Sequence, residues 1–327
     1  MENFKEIFNI QSEDDFEQCA LDLFRLHYTD NNVYRSFCDL LNIDPSSIHH
    51  IEDIPFLPIS FFKSHKVALN QDAPDTIFES SGTTGQQTSK HYVSSLSLYE
   101  ESFTKAFNLF FGEPIDWIIL ALLPSYLERE NSSLIYMVNN LVEATKNEHS
   151  GFYLNNHEEL YQKLTFLEKT SSKKILLIGV SFGLLDFIYN YRLKLNKTIV
   201  METGGMKGRR KELIKTELHN TLKDGFGVSA IYSEYGMTEL LSQAYSTGEN
   251  IFKSPPWMKI LIRDTEDPLT LLANGISGGI NVIDLANYNS CPFIATQDLG
   301  KRFDDKTFEI IGRFDHADIR GCNLLVF

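Results

Sequence analysis

The chain has 327 residues, enough for two domains or one large one, and its 43% hydrophobic and 23% charged content is ordinary for an enzyme-sized globular protein. A formal net charge of −14 argues against broad affinity for nucleic acid or anionic membrane, so any anion must be held by a local cluster of donors. Four separated cysteines with no CxxC pair argue against a zinc site or a disulfide framework, and for a reducing cytoplasm.

The opening MENFKEIFNI mixes charge into every turn and has no signal-peptide core, and the longest apolar runs, 117–123 and 175–180, are too short to span a bilayer. Apolar periodicity predicts a helical lead-in over residues 1–50, with helices in DDFEQCALDLFRLHY and NVYRSFCDLL, ended by Asp44-Pro45-Ser46-Ser47. An α/β body is expected over 51–250. Within it, SLYEESFTKAFNLFF (97–111) reads as a helix with Ser97 and Glu100 spaced as a capping box. Apolar runs DWIILALLP, KKILLIGV and KTIVMETGG then alternate with helices expected near 132–146, 183–194 and 208–223, a pattern of parallel strands covered on both faces. Residues 251–327 switch to strand-rich sequence with Gly, Pro and Asn turns: MKILIRD, GINVIDL, TFEIIGR.

FESSGTTGQQTSKHYV (78–93) follows the strand-like TIF. Gly82 and Gly85 let backbone N–H groups turn inward, Ser80, Ser81, Thr83 and Thr84 add hydroxyls, and Lys90 lies nearby, a combination that suits a phosphate. No Gly-Lys-Ser/Thr follows at the spacing of a Walker loop. The same residues also read as a Ser/Thr/Gly-rich surface turn. Downstream, YSEYGMTEL (232–240) places Glu239 at an expected strand-to-helix corner, followed by TQDLG (296–300) and GRFDHADIRG (312–321).

In order and spacing these four segments resemble the adenylate-forming superfamily over about residues 55–321, and the early helices, PFLPISFFKSH and METGGMKGRRKE make the chain most similar to LuxE-type acyl-protein synthetases. The resemblance implies an α/β fold like the N-terminal domain of that superfamily, mostly parallel sheets flanked by helices, and a smaller β-rich C-terminal part. It implies that Ser80–Gly85 holds the β- and γ-phosphates of ATP with Lys90 as charge partner, that Tyr235 stacks on adenine beside Gly236, and that Thr238 contacts the α-phosphate. It further implies that Glu239 binds Mg2+, that Asp298 and Arg313 hold the ribose, and that Gly204 and Gly205 line the adenine pocket. The implied chemistry is activation of a carboxylic acid, by family a fatty acid, as acyl-AMP. The acyl group then passes to Cys322 in RGCNLLVF and on to an acceptor protein.

The pattern departs from the superfamily in two places. GRFDHAD is expected to be followed by no lid domain and hence by no lid lysine, and His316 stands where the hinge usually has its second acidic residue. Arg320 and His316 could lower the pKa of Cys322; a terminal-strand structural thiol is the other reading of that residue. KGRRKE reads as a solvated helix start. A ligase delivering to coenzyme A or a carrier protein, and a silent nucleotide-binding subunit, remain the rival functions.

Overall fold

In the computed structural model, which describes residues 6–69, 73–80, 87–123, 131–204 and 213–314, two helices come first. Helix α1 (Glu13–Asp30) starts at a Ser12/Asp15 capping box and turns Phe16, Ala20, Leu23, Phe24 and His27 inward at helical spacing. Helix α2 (Asn32–Leu40) is capped by Asn31, and Asp44 then accepts from the Ser46 N–H in the short turn at Pro45. The second helix stops earlier than the Asp-Pro step expected to end it: α2 closes at Leu40, and Asn42 takes a positive φ of 56° before Asp44 is reached.

This lead-in packs on the far end of the chain. His27 Nε2 donates to the carbonyl of Tyr288 (2.9 Å), Asn31 Nδ2 donates to that of Ser290 (2.8 Å), and Lys259 Nζ pairs with Glu13 at 2.6 Å. Strand β1 (Leu57–Pro58) lies parallel to β13 (Phe293–Arg302), with Leu57 opposite Ile294. After α3 (Phe61–Ser64), the hairpin β2 (Thr76–Glu79) and β3 (Lys90–Val93) forms a separate two-stranded sheet.

The other strands are β4 (Trp117–Leu122), β5 (Gly151–Tyr153), β6 (Lys174–Val180), β7 (Thr198–Thr203), β8 (Tyr232–Tyr235), β9 (Ala244–Ser246), β10 (Ile251–Lys253), β11 (Met258–Arg263), β12 (Ser277–Asp284) and β14 (Phe308–Arg313). Among the described residues they form one continuous sheet in the order 5-4-6-7-8-9-10-14-13-12-11. The pairs from β5 to β8 are parallel and those from β8 to β11 antiparallel, so chain direction reverses at β8–β9. The sheet is thus mixed, parallel in the body and antiparallel in the β-rich last third. Every residue of β4 is buried, as its unbroken apolar run requires.

Helices α4 (Leu96–Phe111) and α5 (Ser133–Ala144) cover one face of the parallel half, in one core with Ile119, Leu176 and Met201. Helices α6 (His157–Thr170), α7 (Ser181–Asn190) and α8 (Lys215–Phe226) cover the other, over Leu120, Leu177 and Val200.

Three local expectations are corrected. Helix α4 is capped by Ser95, whose hydroxyl accepts from the Leu98 N–H. Ser97 has its hydroxyl on that of Ser95 (2.9 Å), and the Glu100 carboxylate is taken by the Tyr136 hydroxyl, so no Ser97/Glu100 box forms. The basic helix expected over 208–223 is α8, starting at Lys215; residues 208–212 lie outside the described residues. Finally, Glu239 sits in a turn between two strands, not at the start of a helix. Leu240 N–H closes on Met237 (3.1 Å), but the buried Asp284 then takes the N–H groups of Leu241 and Ser242 (2.8 and 2.9 Å), and the helix cannot propagate.

Candidate functional site

Residues from both halves of the sheet converge where direction reverses. Tyr235 ends β8, and its hydroxyl donates to Asp298 Oδ2 at 2.9 Å. Asp298 Oδ1 takes an ion pair from Arg313 Nε at 3.0 Å, its register partner on β14. Strands β8 and β13 are not neighbours, so the sheet must curl to bring Tyr235 to Asp298. Phe252 on β10 and Phe308 on β14 fill the bend, their centroids 6.1 and 6.0 Å from the Tyr235 ring. Burial above all, then the Asp298 charge, pushes the Tyr235 hydroxyl well above its usual pKa, so it stays a donor.

Gly236 follows. A Cβ there would lie 2.4 Å from Glu234 Oε1, so any larger residue requires that buried carboxyl to move. Glu234 is buried and accepts from the Thr203 hydroxyl; burial pushes its carboxyl up to about 7. Thr238 and Glu239 come next in the turn. A carbonyl can only accept, so His91 Nδ1 donates to Thr238 O (2.8 Å), while its Nε2 faces Asn287 Oδ1 (3.0 Å). Asn287 Nδ2 donates to the carbonyls of Glu239 (2.8 Å) and Cys291 (3.0 Å). His91 and Asn287 thereby tie strand β3 to the Thr238–Glu239 turn. Burial pushes His91 down to about 4 against both of these contacts. The Glu239 side chain is itself buried.

The hairpin that carries the Ser/Thr/Gly segment is pinched at its mouth. Ser80 N–H donates to Ser89 O (3.0 Å), and Ser89 N–H donates back to the Ser80 hydroxyl (2.9 Å). Lys90, half exposed, stands 3.6 Å from Glu79 across the hairpin. Ser81, Gly82, Thr83, Thr84, Gly85, Gly205 and Cys322 lie outside the described residues.

Gly204 ends the neighbouring parallel strand β7 with φ +69°, a conformation that favours glycine. The Ser181 hydroxyl lies 2.9 Å from both the Gly204 carbonyl and Glu202 Oε2. Glu202 is nearly fully buried and also binds Lys215, with His219 Nε2 at 3.6 Å. Burial raises its pKa, but the Lys215 charge and these bonds hold it down to about 2. Gly204, Tyr235 and Gly236 therefore sit at the carboxyl ends of parallel strands beside the reversal, the usual place for a ligand in an open α/β sheet.

The structure thus brings Tyr235, Asp298 and Arg313 together and places Gly236, Thr238 and Glu239 directly after them. It sets Lys90 on the hairpin that is tied to Thr238 through His91. Sequence reading missed Glu234, Glu202, Lys215, His91 and Asn287 as parts of this assembly. Glu234 and Glu202 stood in the quoted segments YSEYG and METGG, where an acidic residue inside an apolar strand was the available signal. His91 and Asn287 are 196 positions apart and carried none.

The family model for acyl-protein synthetase, LuxE, matches residues 6–326. The chain is 25% identical to the long-chain-fatty-acid–luciferin-component ligase of Aliivibrio fischeri, covering 94% of this chain and 86% of the relative. It is 26% identical to the ligase of the same name from Vibrio harveyi, covering 92% and 84%. Among solved structures it is similar to 2-hydroxyisobutyryl-CoA ligase in the postadenylation state, with TM-score 0.68, 10% identity, and coverage of 93% of this chain and 68% of that one. It is also similar to ATP-bound MatB from Rhodopseudomonas palustris, with TM-score 0.55, 18% identity, and coverage of 74% of this chain. That match takes in about half of MatB, 49% of its length. At these identities the structural likeness establishes the fold, an adenylate-forming one. With the family model matched along nearly its whole length, the chain belongs to the acyl-protein synthetase, LuxE, family.

Proposed function

We propose that the protein is a ligase that activates a long-chain fatty acid with ATP and passes the acyl group to a protein thiol. The observation that carries this reading is the joining of Tyr235, Asp298 and Arg313 at the end of β8, immediately before Gly236, Thr238 and Glu239, in a chain of this family. Asp298, held by Arg313, offers its carboxylate to the ribose hydroxyls. Tyr235 sets one wall for adenine and Gly204, just after β7, the other, with Gly205 next in sequence. Ser80–Gly85, between the strands of the pinched hairpin in sequence, bind the β- and γ-phosphates in this reading, with Lys90 of β3 as the charge partner.

The fatty-acid carboxylate attacks the α-phosphorus, the bond to the bridging oxygen breaks, and pyrophosphate leaves with the electron pair. Such transfer rests on positioning and charge neutralisation more than on covalent work by side chains. Thr238 orients the α-phosphate. Glu239 fits a Mg2+ site, because this ion takes one or two protein carboxylates together with phosphate oxygens. When bound, the ion would neutralise phosphate charge. The Cys322 thiolate then attacks the acyl carbonyl carbon, the carbon–oxygen bond to phosphate breaks, AMP departs, and the thiol proton goes to solvent. An acceptor protein takes the acyl group from Cys322. No helix among the described residues is long and apolar enough to cross a membrane.

The test is a panel of carboxylic acids in ATP–pyrophosphate exchange, followed by labelling with the best acid. Exchange with long-chain acids, and a label on the protein that neutral hydroxylamine releases and Cys322→Ser abolishes, is the expected result. Label found on coenzyme A alone would overturn transfer to protein, and ATP binding without exchange for any acid would overturn the ligase reading.

A further inference from the structure

Arg263, the last residue of β11, is a buried cation whose described hydrogen bonds all go to neutral oxygens. Its Nη1 donates to Ile280 O (2.7 Å) and Asn281 Oδ1 (2.8 Å), and its Nη2 to Thr296 O (2.5 Å). The register of β12 against β13 slips between Gly279 and Asn281, and Arg263 satisfies the carbonyl of Ile280 at that bulge. Burial pushes the guanidinium down to about 10, while Tyr235 and Asp298 pull it up.

One face of this guanidinium is pressed by Gly279, where a Cβ would come within 2.6 Å of Cζ. The Phe314 ring also lies over it, with Cζ 5.5 Å from the centroid, inside the range of a cation–π contact. Phe314 directly follows Arg313, and its N–H donates to Gln297 O at 2.9 Å. Two successive residues of the hinge motif are therefore fixed to the site, Arg313 on Asp298 and Phe314 on Arg263. Cys322 is eight residues beyond Phe314.

We propose that Arg263 and Phe314 form a latch that fixes where the C-terminal segment leaves the nucleotide site, and that they act as positioning residues for acyl transfer to Cys322. The inference rests on the reading of Cys322 as acceptor. In that step the thiolate forms the thioester bond, AMP leaves with the electrons of the broken carbon–oxygen bond, and the latch touches neither. Its part is to hold the point from which the chain runs on to Cys322, because the effective concentration of a linked group depends on where its linkage begins. Adenylation needs no thiol, so the latch separates the two half-reactions.

The test uses the full chain with Phe314→Leu, which keeps apolar bulk without the π face, and Phe314→Trp, which keeps the face. Both leave the Arg263 bonds at the bulge intact. Three quantities are read: ATP–pyrophosphate exchange, the rate of hydroxylamine-sensitive labelling at Cys322, and tryptic cleavage after Arg313. Phe314→Leu is expected to leave exchange within twofold, slow labelling at least fivefold and speed the cleavage, whereas Phe314→Trp matches wild type in all three. Labelling in Phe314→Leu at the wild-type rate overturns the proposal, as does an equal fall in exchange and labelling that Trp does not rescue. If wild type exchanges but never labels Cys322, the acceptor reading fails and the positioning role with it. Cleavage then still reports whether the anchor exists.

Discussion

The Tyr235 hydroxyl and Asp298 Oδ2 meet at 2.9 Å although their strands, β8 and β13, are separated in the sheet by β9, β10 and β14. Tyr235→Phe deletes one hydrogen bond to a buried charged acceptor and should lower unfolding stability by about 1.5–3 kcal/mol in urea titration. The ring remains, so ATP affinity by calorimetry should fall less than tenfold. Asp298→Asn also removes the partner of Arg313 and should weaken ATP more than tenfold. Equal affinities in the two variants would remove Asp298 from the ribose site.

Replacing both Thr83 and Thr84 by Val keeps side-chain shape and removes two hydroxyls from the segment beyond the Ser80–Ser89 pinch. Each lost bond to a charged group is worth about 1.5–3 kcal/mol. ATP binding should weaken at least tenfold with the melting temperature within a few degrees of wild type. Unchanged affinity would take the segment out of the phosphate site.

Glu239→Gln keeps volume and polarity and removes the charge that a hard cation requires. Exchange should drop at least a hundredfold at millimolar magnesium while thermal stability moves by only a few degrees. Wild-type exchange in this variant would eliminate Glu239 as a ligand.

Gly236→Ala would place a methyl 2.4 Å from Glu234 Oε1, with Gln243 Cγ at 3.2 Å. Overpacking of this kind costs about 1–3 kcal/mol, and the shift it forces lies beside Tyr235 and Thr238. Both the urea midpoint and exchange should fall. An unaltered urea midpoint would contradict the packing described here.

Glu202 and Glu13, held down to about 2 with Lys215 and Lys259 among the causes, cost stability only as pH falls below about 4.5, and four buried groups set the dependence above that. His91 and His27 are pushed by burial down to about 4 and 3, so each native state binds fewer protons than the unfolded chain, and stability is lost as pH falls below about 6.5. Glu234 and Asp284 are pushed by burial up to about 7 and about 6, so each binds more protons when native, and stability is lost as pH rises from about 4 through those values. Between about pH 4.5 and 6 the two pairs nearly cancel, and unfolding free energy should be almost flat. Glu234→Gln removes one native proton, so stability should then rise with pH by about 1.4 kcal/mol per unit in that window. A flat profile in the variant would show that Glu234 does not hold its proton there.

Much of the site was legible because its residues are contiguous in sequence. YSEYGMTEL and GRFD put candidate groups at the ends of β8 and β14, TQDLG puts Asp298 inside β13, and apolar strand cores fixed where those strands fall. Illegible were features decided by partners far along the chain. Ser97 was expected to cap α4, but Ser95 does so, and the Glu100 that would have completed the Ser97 box is drawn to Tyr136 on another helix. The turn after Glu239 resembled a helix start locally, and only Asp284, more than forty residues later, stops it. Nothing in KHYV announced that His91 would hold the Thr238 carbonyl beside Asn287, which holds that of Glu239.

The pairing of the first helices and β1 with residues 288–295 bears on how the protein emerges from the ribosome. Leu57 has its strand partner Ile294, and Asn31 its acceptor Ser290, only after more than two hundred further residues have been made. At about 5–20 residues per second, the nascent lead-in waits roughly ten to fifty seconds with its apolar face uncovered. The parallel strands β4–β8 lie within that interval and can assemble first. The lead-in helices are then made well before the residues that cover them and are among the last elements to dock, which makes them the natural client surface for a chaperone during translation.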